Sequence, residues 1–313
     1  MTGEMPSDGG GTGGGLGGGT GGGGSMNKQE CTLPGMRESR VNDPQKLITD
    51  VRALLFDAQG KLYVLDRYAN PSKGRVLVFS AGPNPAWEKT FGEGVLGNVQ
   101  DMTFDGQGRV HVLERGSGIG EESLINIFQA DGAHAGSWKP RFDGSNGITS
   151  DGQGHLYVST ENIDVFSENG VFERQLVPAG SISAPIVWPY GMVVVSSTLW
   201  VADLVKRSLV EVVISDGRVR GSFGGKGTGL GQFDGDAPDV DVYGPSKVMS
   251  DGMGYLYAND PYQSRIQKFS EQGDFMGLFS FGGSKDVGPL AMEPVSKNIY
   301  VGRKSAIAIV CAW

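Results

Sequence analysis

Four stretches of this 313-residue chain are written to one pattern: an apolar run, then Asp-x-x-Gly, then an alternating apolar run. They are FDAQGKLYVL at 56–65, FDGQGRVHVL at 104–113, SDGQGHLYVS at 150–159 and SDGMGYLYAN at 250–259. The Asp suits the first corner of a tight turn, where its carboxylate accepts from nearby backbone N–H groups. The Gly suits the left-handed position that closes a short hairpin loop. The flanks are rich in branched and aromatic residues, so each copy predicts a β-hairpin.

The copies begin at 56, 104, 150 and 250, and the last gap is twice the others. A degenerate copy fills it, VVVSSTLWVADL at 193–204, with Ser-Ser-Thr at the turn, and LAMEPVSKNIYVG at 290–302 ends the series. Repeats of roughly 45 all-strand residues have the length of propeller blades. The fifth unit shows four strand-like runs, GPSKVMS, YLYAND, RIQKFSEQG and DFMGLFSFG. Four radial strands per unit is the propeller plan. No segment keeps a 3.6-residue apolar period, which argues against helical repeats. The expected fold is all-β, a six-bladed β-propeller.

The segment YLYANDPYQSRIQKFSEQGDFMGLFSFGG at 255–283 resembles an NHL repeat, with its YV-x-D, N-x-R-[IV] and F-x-x-x-G pattern. GSFGGKGTGLGQF at 221–233 resembles the glycine-rich link of that family. The resemblance spans about residues 45–313 and is weaker in the fourth and sixth units. It implies an NHL-type propeller and says little about activity, because one fold hosts many functions.

A propeller ring must close or leave two sheet edges exposed. The last unit runs out at SAIAIVCAW, its third strand, so its outer strand is expected from the N-terminal segment CTLPGMRESRV at 31–41. In that arrangement Cys31 and Cys311, the chain's two cysteines, meet at adjacent antiparallel ends. A structural disulfide is expected there; two buried thiols are the alternative.

Residues 1–25 are mostly glycine and cannot bury a core. The expected organisation is a glycine-rich tether over 1–30 and the propeller over 31–313. A net charge of −8 argues against nucleic acid or an anionic membrane as the main partner. There is no apolar run of about 18 residues for a transmembrane segment, and no signal-peptide pattern. The tether and the cysteine pair favour an exported protein, secreted, periplasmic or surface-anchored; a cytoplasmic protein with a low-complexity tail is the alternative. A monomer is expected.

One face of such a ring collects the links into each first strand and the loops after each second strand. Aligned there are Arg52, Gln100 with Asp101, Asn146, Tyr190, Ser246 with Lys247, and Gly288. Structural positions repeat from blade to blade; these do not. Varied polar residues around an axial mouth suit recognition of a polar small molecule, a peptide or a protein, with Trp188 beside Tyr190 as an apolar cover. Arg52, Gln100, Asp101, Asn146, Trp188, Tyr190, Ser246 and Lys247 are therefore the candidate ligand-binding set. The alternative is that they line a water-filled channel.

After each second strand stand Asp66, Glu114, Thr160, Asp203, Asp260 and Arg303. An Arg follows several of these acids, as Arg75, Arg207 and Arg265, so the acids are expected to brace the blade by pairing across the loop. The other reading is catalytic. Six-bladed lactonases and phosphotriesterases carry an axial Ca2+, and Glu114, Asn146, Asp203 and Asp260 form the candidate set here. A hydrolase or lyase at the mouth, Ca2+-dependent, is thus the alternative to a recognition module without a cofactor. Asp234, Asp236, Asp239 and Asp241 make an acidic link without EF-hand spacing. His111, His134 and His155 fall at a second strand, a fourth strand and a turn, so they cannot form a three-His zinc site of the amidating-lyase kind.

Overall fold

The computed structural model describes residues 47–68, 73–82, 84–116, 122–180, 183–233, 244–282 and 286–310. All of them fall in one unit of the chain, Leu33–Trp313. They form six small antiparallel sheets, each a meander in chain order. Blade 1 is β1 (Val51–Phe56), β2 (Leu62–Tyr68), β3 (Lys73–Phe79) and β4 (Trp87–Phe91). Blade 2 is β5 (Val99–Phe104), β6 (Val110–Glu114), β7 (Leu124–Phe128) and β8 (His134–Trp138). Blade 3 is β9 (Gly147–Ser150), β10 (His155–Ser159), β11 (Ile163–Ser167) and β12 (Phe172–Val177). Blade 4 is β13 (Pro189–Val195), β14 (Thr198–Asp203), β15 (Ser208–Val213) and β16 (Val219–Gly224). Blade 5 is β17 (Val248–Ser250), β18 (Tyr255–Asp260), β19 (Arg265–Ser270) and β20 (Phe275–Ser280). Blade 6 has three strands among the described residues, β21 (Leu290–Met292), β22 (Ile299–Arg303) and β23 (Ala306–Val310).

The repeated motif does what its chemistry predicts. In blade 1, Asp57 Oδ1 accepts from the N–H of Gln59 at 3.0 Å and of Lys61 at 2.8 Å. Asp105 and Asp151 hold the same two turn positions in blades 2 and 3, and Asp251 does so in blade 5. Blade 6 keeps the device with a longer acid, as Glu293 Oε1 accepts from Val295 N at 3.1 Å. In blade 4, where no acid is present, Ser196 itself adopts a left-handed φ of 55°.

The first strands line the axis and touch in the cyclic order β1, β5, β9, β13, β17, β21 and back to β1. Apolar clusters fill all six seams between neighbouring blades. The seam between blades 6 and 1 packs Leu54, Leu62, Val64 and Leu77 against Ala291, Tyr300 and Ile307. Sheets stacked face to face bury both faces of their middle strands. This explains why β2, β10 and β14 read as nearly unbroken apolar runs. Outer strands such as β8 and β16 face solvent and carry polar residues and glycine.

The fold is therefore a six-bladed β-propeller, as the repeat spacing predicts. Ring closure is secured among the described residues by the blade 6–blade 1 seam and by Val51 N donating to Lys304 O at 3.2 Å. The segment 31–41 expected as the last outer strand, Cys31 and Cys311, and the acidic link at 234–243 lie outside the described residues. Among the described residues no helix is long and apolar enough to cross a membrane.

Candidate functional site

The candidate mouth residues come from different strands, and most converge on one cavity. It has a volume of about 390 Å3 and is lined by Arg52, Gln100, Tyr190, Ser246, Lys247 and Gly288 among others. These six belong to blades 1, 2, 4, 5 and 6. Val51, Leu204, Pro261 and Pro289 supply an apolar rim, and Tyr262 an aromatic one.

Two polar chains cross the axis beneath the opening. In the first, Arg52 Nη2 donates to Gln100 Oε1 at 2.8 Å, and Gln100 Nε2 donates to the Tyr190 hydroxyl at 2.7 Å. In the second, Lys247 Nζ meets Asp101 Oδ1 at 2.7 Å, with both side chains largely buried. Asp101 also accepts from its neighbours Met102 N and Ile148 N, which fixes the carboxylate between blades 2 and 3. Asp101 is thus the counter-ion of the cavity-lining Lys247. Burial, and then the nearby Arg67 charge, lower the Arg52 pKa from its ordinary value. Its Nε is buried without an acceptor.

Backbone contacts between first strands hold these side chains in place. Gly191 N donates to Ser246 O at 3.1 Å. A Cβ at Gly147 would lie 2.3 Å from Tyr190 O, and one at Gly191 would lie 2.5 Å from Ser246 O. Only glycine allows backbones to approach this closely, and each of these glycines adjoins a mouth residue.

Asn146 and Trp188 part company with the others. They line a second cavity of about 370 Å3, with Arg115, Thr160, Glu161 and Gln175. The expectation that Trp188 covers the apolar part of the Tyr190 site is corrected on this point. Trp188 precedes β13, with its N–H held by Asp203 Oδ1 at 3.3 Å and its carbonyl by Leu204 N at 3.1 Å. The Asn146 side-chain amide donates to Thr160 O and Pro189 O between blades 3 and 4, and its Oδ1 is buried without a donor, while its carbonyl accepts from Gln100 Nε2 at 3.5 Å.

The acids after the second strands are spent on the frame. Asp66 accepts from Thr49 N, Asp50 N and Arg75 Nε. Glu114 accepts from Gly97 N at 2.7 Å and from Asn126 Nδ2 at 2.5 Å, and burial pushes its carboxyl pKa up. Asp260 pairs with Arg265 at 2.9 Å. Asp203 departs from the expected Arg207 pairing, because four backbone N–H groups, of Val187, Trp188, Val205 and Lys206, occupy its oxygens. Glu114, Asn146, Asp203 and Asp260 stand in separate places, and the described residues contain no cluster of three or more metal-ligating His, Cys, Asp or Glu. His111 is buried against Asp105 at 2.9 Å, His134 starts β8, and His155 flanks its turn beside Asp151.

Two site residues escaped the sequence reading. Asn259 Oδ1 accepts from Ser246 N and Lys247 N, while its Nδ2 donates to Ser246 Oγ and Gly288 O. Ser159 Oγ donates to Tyr190 O at 2.8 Å. Both are fully buried and stand just inside the end of a second strand, where blades 1, 2 and 4 carry Leu65, Leu113 and Ala202. A polar residue breaking an apolar strand was the available signal.

No family profile matches the chain, and no curated protein matches it. Solved structures do. Virginiamycin B lyase from Staphylococcus aureus superposes with a TM-score of 0.57 at 11% identity, covering 86% of this chain and 97% of that one. A nidogen/laminin complex gives 0.56 at 17%, covering 74% and 80%. The Cps50 (Swd1) β-propeller domain of Myceliophteria thermophila gives 0.55 at 11%, covering 84% and 97%. At such identities the likeness establishes the propeller fold, and these proteins include both a lyase and a binding partner.

Proposed function

We propose that this chain is an NHL-type propeller acting as a recognition module, and that a peptide, protein segment or polar small molecule enters its axial cavity. One observation carries the reading: residues that differ at one equivalent place in the repeat, Arg52, Gln100, Tyr190 and Ser246, line a single cavity with Lys247. A frame needs sameness from blade to blade, and the acids that do frame work repeat. Polar variety gathered in a concave site is what selective binding requires.

The lyase reading has less support. A histidine-to-alanine variant of virginiamycin B lyase, solved with quinupristin, is catalytically inactive. The cavity lining among the described residues holds neither histidine nor carboxylate. The glycine-rich run over 1–25 and the disulfide expected between Cys31 and Cys311 support an exported protein.

The test is a ligand screen by thermal shift, followed by titration of each hit against Arg52→Ala and Tyr190→Ala. Both variants should keep the parent's melting behaviour and lose the hit. A hit that binds both variants as it binds the parent would place recognition elsewhere on the ring.

A further inference from the structure

The hydrogens on the two axial chains have only one arrangement. Arginine can only donate, so the Gln100 oxygen must face Arg52 and its NH2 must face Tyr190. The Tyr190 oxygen therefore receives a proton, and its own O–H is left to donate. Among the described residues no acceptor takes that O–H, and Gln100 Oε1 is the one acceptor of the Arg52 guanidinium. The same logic fixes Ser246. Asn259 Oδ1 is committed to two backbone N–H groups, so Nδ2 faces Ser246 Oγ, which accepts and has its proton to give. The Lys247 ammonium uses one N–H on Asp101. Four side chains of the cavity thus offer hydrogen-bond donors.

The charges agree with this polarity. Asp101 offsets Lys247, and Asp50 is taken by Arg67 at 2.6 Å. Among the described residues Arg52 is left as one excess positive charge, held by a neutral amide. A single half-buried cation calls for a monoanion, and an apolar rim of Val51, Leu204 and two prolines calls for a ligand body to match.

Resting on the axial-recognition reading, we infer that the cavity is a receptor for a carboxylate carried on an apolar body, with Arg52 and Tyr190 as its donors. A dianion such as phosphate fits less well, because one excess positive charge among the described residues meets only one of its two negative charges. A free small acid and the carboxy terminus of a peptide share this chemistry.

N-acetyl-phenylalanine, its amide, acetyl-trialanyl-phenylalanine and inorganic phosphate serve as probes, titrated by NMR chemical shift. The two carboxylates should bind, and the amide and phosphate should bind at least about tenfold more weakly, the scale of a lost charge-assisted hydrogen bond. Tighter binding of the peptide than of the small acid identifies a chain terminus as the source; equal binding identifies a free acid. The decisive variant is Gln100→Glu. Ionised glutamate cannot donate, so it pairs with Arg52 and accepts a hydrogen bond from the Tyr190 hydroxyl, withdrawing both donors with almost no change of shape. It should weaken carboxylate binding by more than tenfold, and Arg52→Met by about tenfold. If Gln100→Glu fails to fold, Arg52→Met and Tyr190→Phe carry the test. Amide binding equal to acid binding, yet lost in Tyr190→Phe, overturns the carboxylate inference and leaves axial recognition standing. Probe binding that no cavity variant alters overturns both. Phosphate binding tighter than the carboxylates overturns the monoanion argument.

Discussion

Lys247 on blade 5 and Asp101 on blade 2 join across the ring at 2.7 Å, spanning the axis between opposite blades. Their side chains are 15% and 9% exposed, so each charge depends on the other. Removing one partner of a buried pair leaves a charge without solvent, at a cost of about 3–5 kcal/mol. Lys247→Met and Asp101→Asn should each lower stability on that scale in denaturant unfolding. The double variant should lose less than the two single losses together. Additive losses would mean that the pair contributes no coupling across the axis.

The seam between blades 3 and 4 makes a sharper geometric claim. Gly217 has φ 71°, and a Cβ there would stand 1.9 Å from Leu176 O. Gly252 has nearly the same φ, 70°, but open space around it. Gly252→Ala should cost about 1–2 kcal/mol, the price of left-handed backbone for an L side chain. Gly217→Ala adds a backbone overlap that no rotamer relieves, so its loss should be clearly larger. Equal melting temperatures for the two variants would contradict the tight approach of these blades.

These examples show what was legible in the sequence. Asp57, Asp105, Asp151 and Asp251 announced the hairpins because a turn is local chemistry, settled within five residues. Their spacing announced the ring, because stacked blades repeat. The convergence of Arg52, Gln100 and Tyr190 was legible for the same reason, since equivalent positions of a closed ring must meet at the axis. Trp188 was misplaced because its direction depends on Asp203 and Leu204, which hold its backbone before β13 begins. Asn259 and Ser159 were missed because their partners lie in the neighbouring blade or across a hairpin, where no repeat pattern points.

Acid should weaken the fold through His111, which is buried on β6. Burial lowers its pKa from 6.5 and outweighs the pull of Asp105. The folded protein thus keeps His111 neutral while the unfolded chain takes up a proton below about pH 6.5. Stability is fully present above that value and declines as pH falls through the window between the unfolded and folded pKa values. Asp105 adds a second loss at lower pH. Burial raises its pKa, but hydrogen bonds from His111 and Arg109 outweigh that and depress it below 3.8. Its contribution is present above the unfolded value and disappears as pH falls through the folded one. His111→Gln can still donate to Asp105 and does not titrate. Its melting temperature should be flatter between pH 6.5 and 5 than the parent's; parallel curves would assign the acid loss to other groups.

Frame and site can be separated by two charge deletions. Asp260 and Arg265 form a buried pair, with side chains 1% and 8% exposed. The same guanidinium donates to Thr228 O, Gly229 O and Gln232 O, so it ties the glycine-rich link to blade 5. Asp260→Ala strands that cation and should cost about 3–5 kcal/mol. Asp260→Asn keeps an acceptor for Arg265 and should cost less. Arg52 has the opposite character. It carries the excess charge, its Nε lacks an acceptor, and burial already lowers its pKa. Replacing it with Met removes a half-buried cation that has no carboxylate partner among the described residues, so stability should stay level or rise. Its loss should appear in binding. Unfolding free energies and probe affinities measured on the three variants therefore form a crossed pattern. Asp260→Ala should be unstable but binding-competent at low temperature, and Arg52→Met stable but binding-deficient. If Arg52→Met loses several kcal/mol, the arginine belongs to the frame. If Asp260→Ala then abolishes binding without destabilising the ring, the working residues are the acids.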